Sequence, residues 1–418
     1  MTLGTDPPPA AAERRRAFLG PYDELLERVR HAKEIDVYAL FPALDAAGER
    51  GWALLDGTPV VSLVANDYLG LGRDPRVAEA AAGALTRLGT SRCASPLAGG
   101  YTELTRTLED RLAAFTGQEA AVVLASGYQA NLGAIGGLTQ PGDLVVCDLL
   151  SHASIVDGAR LAGAEVRYFR HNDAGHLDSV LGAVAGGRRT LVAVEGVYSA
   201  DGDTAPLPEI CAVAHRHGAL VLLDEAHSLG VFGPDGAGLA AHHGLSGQVD
   251  LVVGTMSKSL GMVGGFVAGD RRIVDVVRHA GRALIFSAAL PPAMAGGALR
   301  SLELLRSEPE RRRRLWDGTR RLLSGLRERG FDTLGSVTPV VPVLVGDPVR
   351  TLHFAAELSR SGVLVCPAVP PMVQPHRSRI RMHVTADHDA PALEHTLRVL
   401  DEVGRRTGVP RAAEVGTP

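Results

Sequence analysis

Paired cysteines, long apolar runs and an excess of one charge are all lacking in this chain of 418 residues. The cysteines are far apart and form no CxxC pair, so neither a zinc site nor a disulfide framework is expected; they are Cys93, Cys147, Cys211 and Cys366. No apolar run is long enough to span a bilayer, and residues 1–12 lack the apolar core of a signal peptide. We therefore expect a protein of the reducing cytoplasm whose residues 1–12 are disordered.

The net charge of -4 at pH 7 gives no reason to expect nucleic acid or a membrane surface as a partner. Two phosphate-binding signatures are also missing, because no GxGxxG follows the first strand of the main domain and no GxxxxGK[ST] loop occurs. Their absence argues against dinucleotide-binding and P-loop proteins. Apolar residues, by contrast, make up 45% of the chain, which is enough for a substantial core.

Short apolar runs of the β type recur between residues 120 and 269, and most are separated by a segment of helix length. Strands that alternate with helices are typical of an α/β fold whose mostly parallel sheet is covered on both faces. We predict a seven-stranded sheet with strands at residues 121–125, 144–148, 166–169, 191–197, 220–224, 251–253 and 265–268. Ligands of such sheets bind at the carboxyl ends of the strands, so the residues after each run are candidates for function.

The rest of the chain is divided around this large domain, which we place at residues 66–293. Residues 1–65 are predicted to form an N-terminal arm, with a helix over residues 13–33 and short strands. Residues 294–418 are predicted to form a smaller α+β domain. It should contain a charged helix at residues 302–329, strands at 340–345, 363–366 and 379–385, and a helix at 391–405. We read the run Arg311 to Arg314 in the first of these helices as solvated surface.

A lysine lies at the mouth of a buried strand in the segment Asp250-Leu-Val-Val-Gly-Thr-Met-Ser-Lys-Ser-Leu-Gly261. Desolvation at such a place favours the neutral amine, which is the form that condenses with an aldehyde. Thr255 and Ser257 beside it can donate hydrogen bonds to a phosphate. Lys258 is therefore a candidate to carry pyridoxal phosphate (PLP) as a Schiff base, and the alternative is a surface lysine in a polar turn.

An aspartate ends the buried strand at residues 220–224, where its charge is costly unless a cation or a hydrogen-bond donor meets it. A protonated pyridine nitrogen would meet Asp224, and His227 could then reach the phenolic oxygen of the ring. Alternatively, Asp224 caps the following turn. Lys258 lies at the end of the next strand along the chain, and this pairing favours a cofactor.

Other strand ends carry weaker signals. Ser126-Gly-Tyr128 opens a helix after a strand, where backbone N–H groups can hold an anion, although such glycine turns are common in α/β proteins. His152 could stack on a planar ring or serve a structural role, and Ser199 supplies a further hydroxyl. Arg379 and Arg381 share a face of one strand. A carboxylate clamp needs one arginine, for which we choose Arg381, and the alternative is a surface ion pair.

Together these segments resemble the α-oxoamine synthases, a family of PLP-dependent acyltransferases that includes serine palmitoyltransferase and 8-amino-7-oxononanoate synthase. The resemblance implies the aspartate-aminotransferase-like fold, also called fold type I. It covers roughly residues 35 to 405 and is closest to the serine palmitoyltransferase-like branch. The similar motifs are Asn66-Asp-Tyr-Leu-Gly70, Ser126-Gly-Tyr128, Ser151-His-Ala-Ser154, His171-Asn-Asp173, Glu195-Gly-Val-Tyr-Ser-Ala-Asp-Gly-Asp203, Asp224-Glu-Ala-His-Ser-Leu-Gly230, Thr255-Met-Ser-Lys-Ser259 and Phe286-Ser-Ala-Ala-Leu-Pro-Pro292.

The resemblance also implies roles for single residues. Lys258 should form the Schiff base, Asp224 should pair with the ring nitrogen, and His227 should meet the phenolic oxygen. His152 should stack on the ring. The remaining cofactor contacts should come from Ser126, Gly127, Tyr128, Ser199, Thr255 and Ser257. Arg381 should hold the amino-acid carboxylate, with Asn66 near the substrate. Because the site forms at a homodimer interface in this family, Ser287 or Ala288 is expected to reach the partner's cofactor.

The activity implied by the resemblance is a decarboxylative condensation of a small amino acid with an acyl thioester of CoA or of acyl carrier protein. Serine, glycine or alanine would give an α-aminoketone, CO2 and a free thiol, and no metal is required. The chain departs from the family at Thr105, where histidine is common, and at Pro96, often arginine or glycine, which leaves the substrate open. Two alternatives remain: another fold type I enzyme, such as an aminotransferase or aldolase, and a non-catalytic PLP-binding partner subunit.

Overall fold

The computed structural model describes residues 9–35, 37–184, 187–374 and 376–412. Of residues 1–12, which were predicted to be disordered, residues 1–8 lie outside these ranges, and residues 9–12 are instead helical, so the prediction is wrong for them. The strands are β1 (Leu44–Ala47), β2 (Trp52–Leu55), β3 (Thr58–Ser62), β4 (Ala120–Leu124), β5 (Leu144–Asp148), β6 (Glu165–Phe169), β7 (Thr190–Glu195), β8 (Leu220–Asp224), β9 (Leu251–Thr255), β10 (Gly265–Gly269), β11 (Val340–Gly346), β12 (Val363–Leu364), β13 (Cys366–Ala368) and β14 (Ser378–His383).

The helices connect these strands and cover the sheets. They are α1 (Pro9–Leu19), α2 (Asp23–Glu34), α3 (Pro75–Leu88), α4 (Glu103–Thr116), α5 (Gly127–Leu138), α6 (Ala153–Leu161), α7 (Ala174–Val184), α8 (Leu207–Arg216), α9 (Leu239–His242), α10 (Arg271–Ala280), α11 (Arg282–Ile285), α12 (Pro292–Ser307), α13 (Pro309–Glu328), α14 (Pro348–Arg360) and α15 (Ala390–Arg406).

The large sheet has seven strands in the order β4-β10-β9-β8-β7-β5-β6. β10 is antiparallel to both of its neighbours, and the other pairs are parallel. Along β5, Leu144 and Val146 belong to one apolar cluster while Val145 and Cys147 belong to another, so both faces of the sheet are covered. The predicted α/β class and mostly parallel sheet are confirmed, with strand bounds that differ by at most two residues.

The order of the strands brings several polar side chains to one edge of the sheet. Glu195, the last residue of β7, is paired in register with Asp224, the last residue of β8. Thr255 ends β9, which is the next strand in the sheet. Because these three strands are parallel, their carboxyl ends share an edge, and Lys258 follows at that edge.

Strands from the two ends of the chain form two smaller sheets. β11, β14 and β13 make a three-stranded antiparallel sheet. β12 instead pairs in parallel with β3 and completes the four-stranded sheet β1-β2-β3-β12. The predicted strand at residues 363–366 is therefore two strands that belong to different sheets. The division of the chain at residues 65 and 293 stays a prediction.

Two predicted helices are each divided by a proline. Residues 13–33 fall in α1 and α2, which are separated by a 3-10 turn at Gly20–Tyr22 that contains Pro21. Residues 302–329 fall in α12 and α13, and Pro309 begins the second. Proline lacks the N–H that continues a helix, and it disfavours the helical conformation in the residue before it. Both single-helix predictions are therefore wrong.

The run of arginines at the start of α13 is not uniformly solvated, contrary to the prediction. The side chain of Arg311 is 12% exposed and lies 2.6 Å from Asp74 and 2.7 Å from Glu308. Its guanidinium also donates to the backbone oxygen of Leu69 at 3.0 Å. A buried cation needs such partners. Arg311 therefore ties α13 to the segment that precedes α3.

Among the described helices, none is both long enough and apolar enough to cross a membrane. Within the same residues, no group of three His, Cys, Asp or Glu side chains is placed to hold a metal ion. All four cysteines are free, with Cys147 and Cys211 buried and Cys93 exposed.

Candidate active site

A cavity of about 350 Å³ lies at the carboxyl edge of the large sheet. Every residue predicted for the site lines it except Ser287 and Ala288. Those that do are Asn66, Ser126, Gly127, Tyr128, His152, Ser199, Asp224, His227, Thr255, Ser257, Lys258 and Arg381. A more open cleft of about 750 Å³ between α13 and α15 contains none of them. The two family departures, Pro96 and Thr105, also lie outside the cavity.

Lys258 is desolvated in this cavity. Burial lowers the pKa of its amine to about 8, although the carboxylates of Asp224 and Glu195 act in the opposite direction. At neutral pH, a much larger fraction of the amine is therefore neutral than for an ordinary lysine. A neutral amine is the form that reacts with an aldehyde.

Asp224 is 6% exposed and is held by two hydrogen bonds. Its Oδ2 accepts from Asn131 Nδ2 at 2.7 Å and its Oδ1 accepts from the backbone N–H of Ala226 at 2.9 Å. Asn131 Nδ2 also donates to Ser154 Oγ at 2.9 Å. The carboxylate therefore has a fixed position at the floor of the cavity, where it can pair with a cation on a ligand.

His152 is linked to Asp224 through the same chain of hydrogen bonds. Its Nδ1 lies 2.7 Å from Ser154 Oγ and accepts from the Ser154 backbone N–H at 3.3 Å. Its backbone N–H donates to Glu195 Oε1 at 2.6 Å. Burial lowers the pKa of His152, which favours a neutral ring. A neutral imidazole held at both its backbone and its Nδ1 is suited to lie against a flat aromatic ligand.

His227 lies deeper in the site and is held by Tyr68. The Tyr68 hydroxyl is 2.6 Å from His227 Nδ1, and both side chains are buried. Burial and the positive charge of Lys258 hold the pKa of His227 well below its usual range. The ring therefore stays neutral and can present Nε2 to a ligand.

A further group of residues that line the cavity is suited to hold a phosphate. Ser126 caps α5, its Oγ accepting from the backbone N–H of Gln129 at 3.2 Å, so the start of that helix faces the cavity. A side chain at Gly127 would place its Cβ 2.8 Å from the Cβ of Thr255, so only glycine lets the helix approach β9 this closely. Thr255 Oγ1 and Ser257 Oγ lie 2.8 Å apart and add hydroxyl groups. Tyr128 lines the cavity as well, but its hydroxyl donates to Asp157 at 2.6 Å.

Arg381 and Asn66 have unused hydrogen-bonding capacity in the cavity. Arg381 Nη1 donates to the backbone oxygen of Ser199 at 3.1 Å. Its Nε and the Oδ1 of Asn66 are buried without a hydrogen-bond partner among the described residues. Buried polar atoms of this kind usually have a partner. A ligand carboxylate could supply one to the arginine.

Glu195 is a site residue that sequence reasoning did not single out. It lines the cavity, is 3% exposed, and faces Asp224 across the β7-β8 pair. Burial, together with the charge of Asp224, raises its pKa to about 8. Asn131 and Ser154 were missed as well. The available signal for Glu195 was an acidic residue at the end of a buried strand, the same signal that Asp224 gives.

The two residues expected at a partner's cofactor lie apart from this chain's cavity. Ser287 Oγ accepts from Gln129 Nε2 at 3.3 Å, whereas Ala288 is exposed. Phe286 beside them is 73% exposed, with the Arg282 guanidinium 4.8 Å from its ring centre.

The described residues fit PLP. A desolvated lysine, a fixed carboxylate, two neutral imidazoles and a cluster of hydroxyl and helix N–H donors match the aldehyde, ring nitrogen, ring face and phosphate of that cofactor. The glycine at residue 127 leaves the room beside Thr255 that a phosphate-binding turn requires. Fold and site thus define a PLP-dependent enzyme of fold type I.

Comparisons with known proteins agree with this class. Residues 58–400 match the family model described as aminotransferase class I and II. The chain is 40% identical over 388 residues to the 8-amino-7-oxononanoate synthase of Symbiobacterium thermophilum, covering 93% of this chain and 99% of that protein. It is 36% identical over 389 residues to the enzyme of the same name from Thermoanaerobacter pseudethanolicus, covering 93% and 98%.

The fold is also similar to a structure of serine palmitoyltransferase from S. paucimobilis with a bound PLP-myriocin aldimine. The TM-score is 0.91 at 36% identity, over 94% of this chain and 99% of that one. The chain therefore belongs to the α-oxoamine synthases, a family of PLP-dependent C-acyltransferases, and PLP is its cofactor.

Proposed function

We propose that the chain condenses serine, glycine or alanine with an acyl thioester of CoA or acyl carrier protein. The products would be an α-aminoketone, CO2 and the free thiol. The observation that carries the proposal is Lys258, whose amine has a pKa of about 8 in a cavity that it shares with Asp224. Family membership supports the reaction class, and the cavity supports the residue roles.

Several residues are proposed to hold the cofactor. Lys258 would bind the aldehyde carbon, Asp224 would pair with the protonated ring nitrogen, and His152 would lie on the ring face. His227 would donate to the phenolic oxygen. The phosphate would be held by Ser126, Gly127, Tyr128, Thr255 and Ser257, with Ser199 as a further contact. When bound there, PLP supplies an electron sink for negative charge at the amino-acid α-carbon.

Lys258 is proposed to act as the proton carrier of the reaction. Once free of the cofactor, its Nζ would take the α-proton of the bound amino acid and return a proton after CO2 has left. A pKa of about 8 suits both tasks near neutral pH, because neither the neutral nor the charged amine is rare. Asp224 supports this step by keeping a positive charge on the ring nitrogen.

The amino acid is proposed to bind through its carboxylate. Arg381 would donate from Nε and from its guanidinium edge, since Nε has no partner among the described residues. Asn66 would face the same substrate. The volume of about 350 Å³ must hold both cofactor and amino acid, which favours a small side chain.

We also propose a homodimer in which Ser287 or Ala288 reaches the partner's cofactor. Support comes from their position outside this chain's own cavity and from the exposed apolar ring of Phe286 beside them. Sedimentation should give twice the chain mass, and a monomer at assay concentrations would contradict the shared site. A cytoplasmic location stays a prediction.

The test of the reaction is carbon dioxide release from carboxyl-labelled serine, glycine or alanine, with and without an acyl thioester. We expect release and free thiol in equal amounts only when both substrates are present. Conversion of the amino acid without thioester would instead indicate an aminotransferase or aldolase. No spectral change with any amino acid would indicate a non-catalytic subunit.

A further inference from the structure

A second cavity, of about 650 Å³, lies next to the first. His152, Ser199 and Arg381 line both of them. The second cavity lies between the loops that follow β5 and β7 and the hairpin of β13 and β14. A substrate that reaches the amino-acid site from this side must pass its walls.

One wall of the second cavity is cationic. Arg379 and Arg381 alternate along β14, and Arg377 directly precedes the strand in the same alternation, so all three line the cavity. Asp201 is the single carboxylate among its described lining residues. The wall therefore has more positive than negative charge.

Arg377 and Arg379 differ in how their charges are paired with Asp201. Arg379 is 3% exposed, and its Nη1 lies 2.7 Å from Asp201 Oδ1. Its Nε also donates to the backbone oxygen of Arg377 at 2.8 Å. The Arg377 side chain is 49% exposed, and its Nη2 lies 3.7 Å from the same Oδ1 atom. Because Asp201 is already engaged by Arg379, the charge of Arg377 is only weakly compensated.

Another part of the cavity wall is apolar and partly exposed to solvent. Leu149 and Leu150 line it from the loop after β5, and Met372 and Val373 line it from the β13-β14 hairpin. Leu149 is 51% exposed and Met372 is 57% exposed, which places them near the mouth. The cavity thus combines a hydrocarbon-binding surface with a cation that water can reach.

We propose that Arg377 selects thioester substrates that carry an anionic group, while the apolar wall holds their hydrocarbon part. This inference rests on the proposed function and names the class of its second substrate. The anion is either a carboxylate at the far end of the acyl chain or a phosphate of the thioester carrier. Both are oxygen anions that an arginine binds through two N–H donors.

The experiment compares kcat/KM of the wild-type holoenzyme, Arg377→Gln and Arg398→Gln. Arg398 is the matched control, a surface arginine of α15 that is 64% exposed and 3.9 Å from Glu402. Four substrates of one chain length are used. They are the CoA thioesters of a monocarboxylic acid and of the matching dicarboxylic acid, and the phosphate-free N-acetylcysteamine thioesters of both.

If the anion is the acyl carboxylate, Arg377→Gln should lower kcat/KM about tenfold for both dicarboxylic thioesters and for neither monocarboxylic one. If it is a phosphate, the loss should occur for both CoA thioesters and for neither N-acetylcysteamine thioester. In either case the loss should shrink at high salt, because the contact is partly exposed. Arg398→Gln should match the wild type throughout.

An equal loss for all four thioesters, or no loss for any, would overturn the anion site. These outcomes are distinct from failure of the proposed function. A wild-type enzyme that releases no CO2 with any thioester contradicts the condensation itself, whereas an active wild type with an unaffected Arg377→Gln contradicts only the role of Arg377.

Discussion

Glu195→Gln tests the electrostatics of the site most sharply, because the change removes a titratable group and little else. Glutamine keeps an oxygen that can accept from the His152 backbone N–H, now 2.6 Å from Glu195 Oε1. In the wild type, burial and the charge of Asp224 raise the Glu195 pKa from 4.5 to about 8. The folded protein therefore binds a proton here at neutral pH, so Asp224 alone would supply the negative charge that we propose faces the ring nitrogen.

The raised pKa makes stability depend on pH in a defined direction. The stabilisation of the neutral carboxyl is complete below about pH 4.5 and is lost as the pH rises through 8. Between pH 6 and pH 8, the carboxyl alone should lower the free energy of unfolding of the wild type by about 2–3 kcal/mol. Glutamine does not titrate, so Glu195→Gln should gain this amount relative to the wild type over the same range.

The assay is urea unfolding of the cofactor-free protein at pH 6 and pH 8. Glu79→Gln is the control, because Glu79 is exposed on α3 and lies outside the cavity. The free energy of unfolding of Glu79→Gln should differ from that of the wild type by the same amount at both pH values. If the free energies of unfolding of the wild type and Glu195→Gln also differ by the same amount at both pH values, Glu195 is ionised throughout this range and the reasoning is refuted.

Three further changes have expected outcomes. Asp224→Asn should lower kcat by about 100-fold or more while CO2 release stays coupled to thiol release, because the ring nitrogen loses its counter-charge; near-normal kcat would contradict this role. Gly127→Ala should weaken PLP binding about tenfold by fluorescence titration, since its Cβ would lie 2.8 Å from that of Thr255, whereas Gly83→Ala has open space and should bind normally. His171→Gln should destabilise the protein most below about pH 6.5. Burial lowers the pKa of His171, but its two carboxylate partners outweigh this and raise the pKa to about 10. The charged ring should therefore add on the order of 2–4 kcal/mol to the free energy of unfolding, in full below pH 6.5, and this contribution is lost as the pH rises through 10. If urea unfolding shows a difference from the wild type that does not depend on pH, the prediction is wrong.

The large sheet could be predicted from the sequence because its strands are short apolar runs with buried faces on both sides. Leu144–Asp148 and Leu220–Asp224 were predicted to the residue. The pairing of β12 with β3 could not be predicted, since it joins segments far apart in the chain and depends on tertiary packing. The interruptions of the two helices at Pro21 and Pro309 could be predicted from the prolines themselves, but the apolar periodicity on both sides of each proline favours a single helix.

Within the site, the residues at or after the ends of strands could be predicted from the sequence. The residues that hold them in place by hydrogen bonds could not. Asp224 ends one buried strand and Lys258 follows another, at places where polar groups are costly without a function. Asn131, by contrast, lies inside α5 and becomes a partner of Asp224 only through a contact between residues 93 positions apart. Tyr68 and His227 meet across a still longer separation. Local patterns carry no signal for such contacts.

The central claim is that Lys258 binds the cofactor covalently. Its most direct measurement is reduction of the PLP-loaded protein with borohydride, followed by proteolysis and mass spectrometry. We predict a single reduced pyridoxyl-phosphate adduct on the peptide that contains Lys258, and no adduct after Lys258→Ala. A label on any other lysine, or one that persists in Lys258→Ala, would contradict the account.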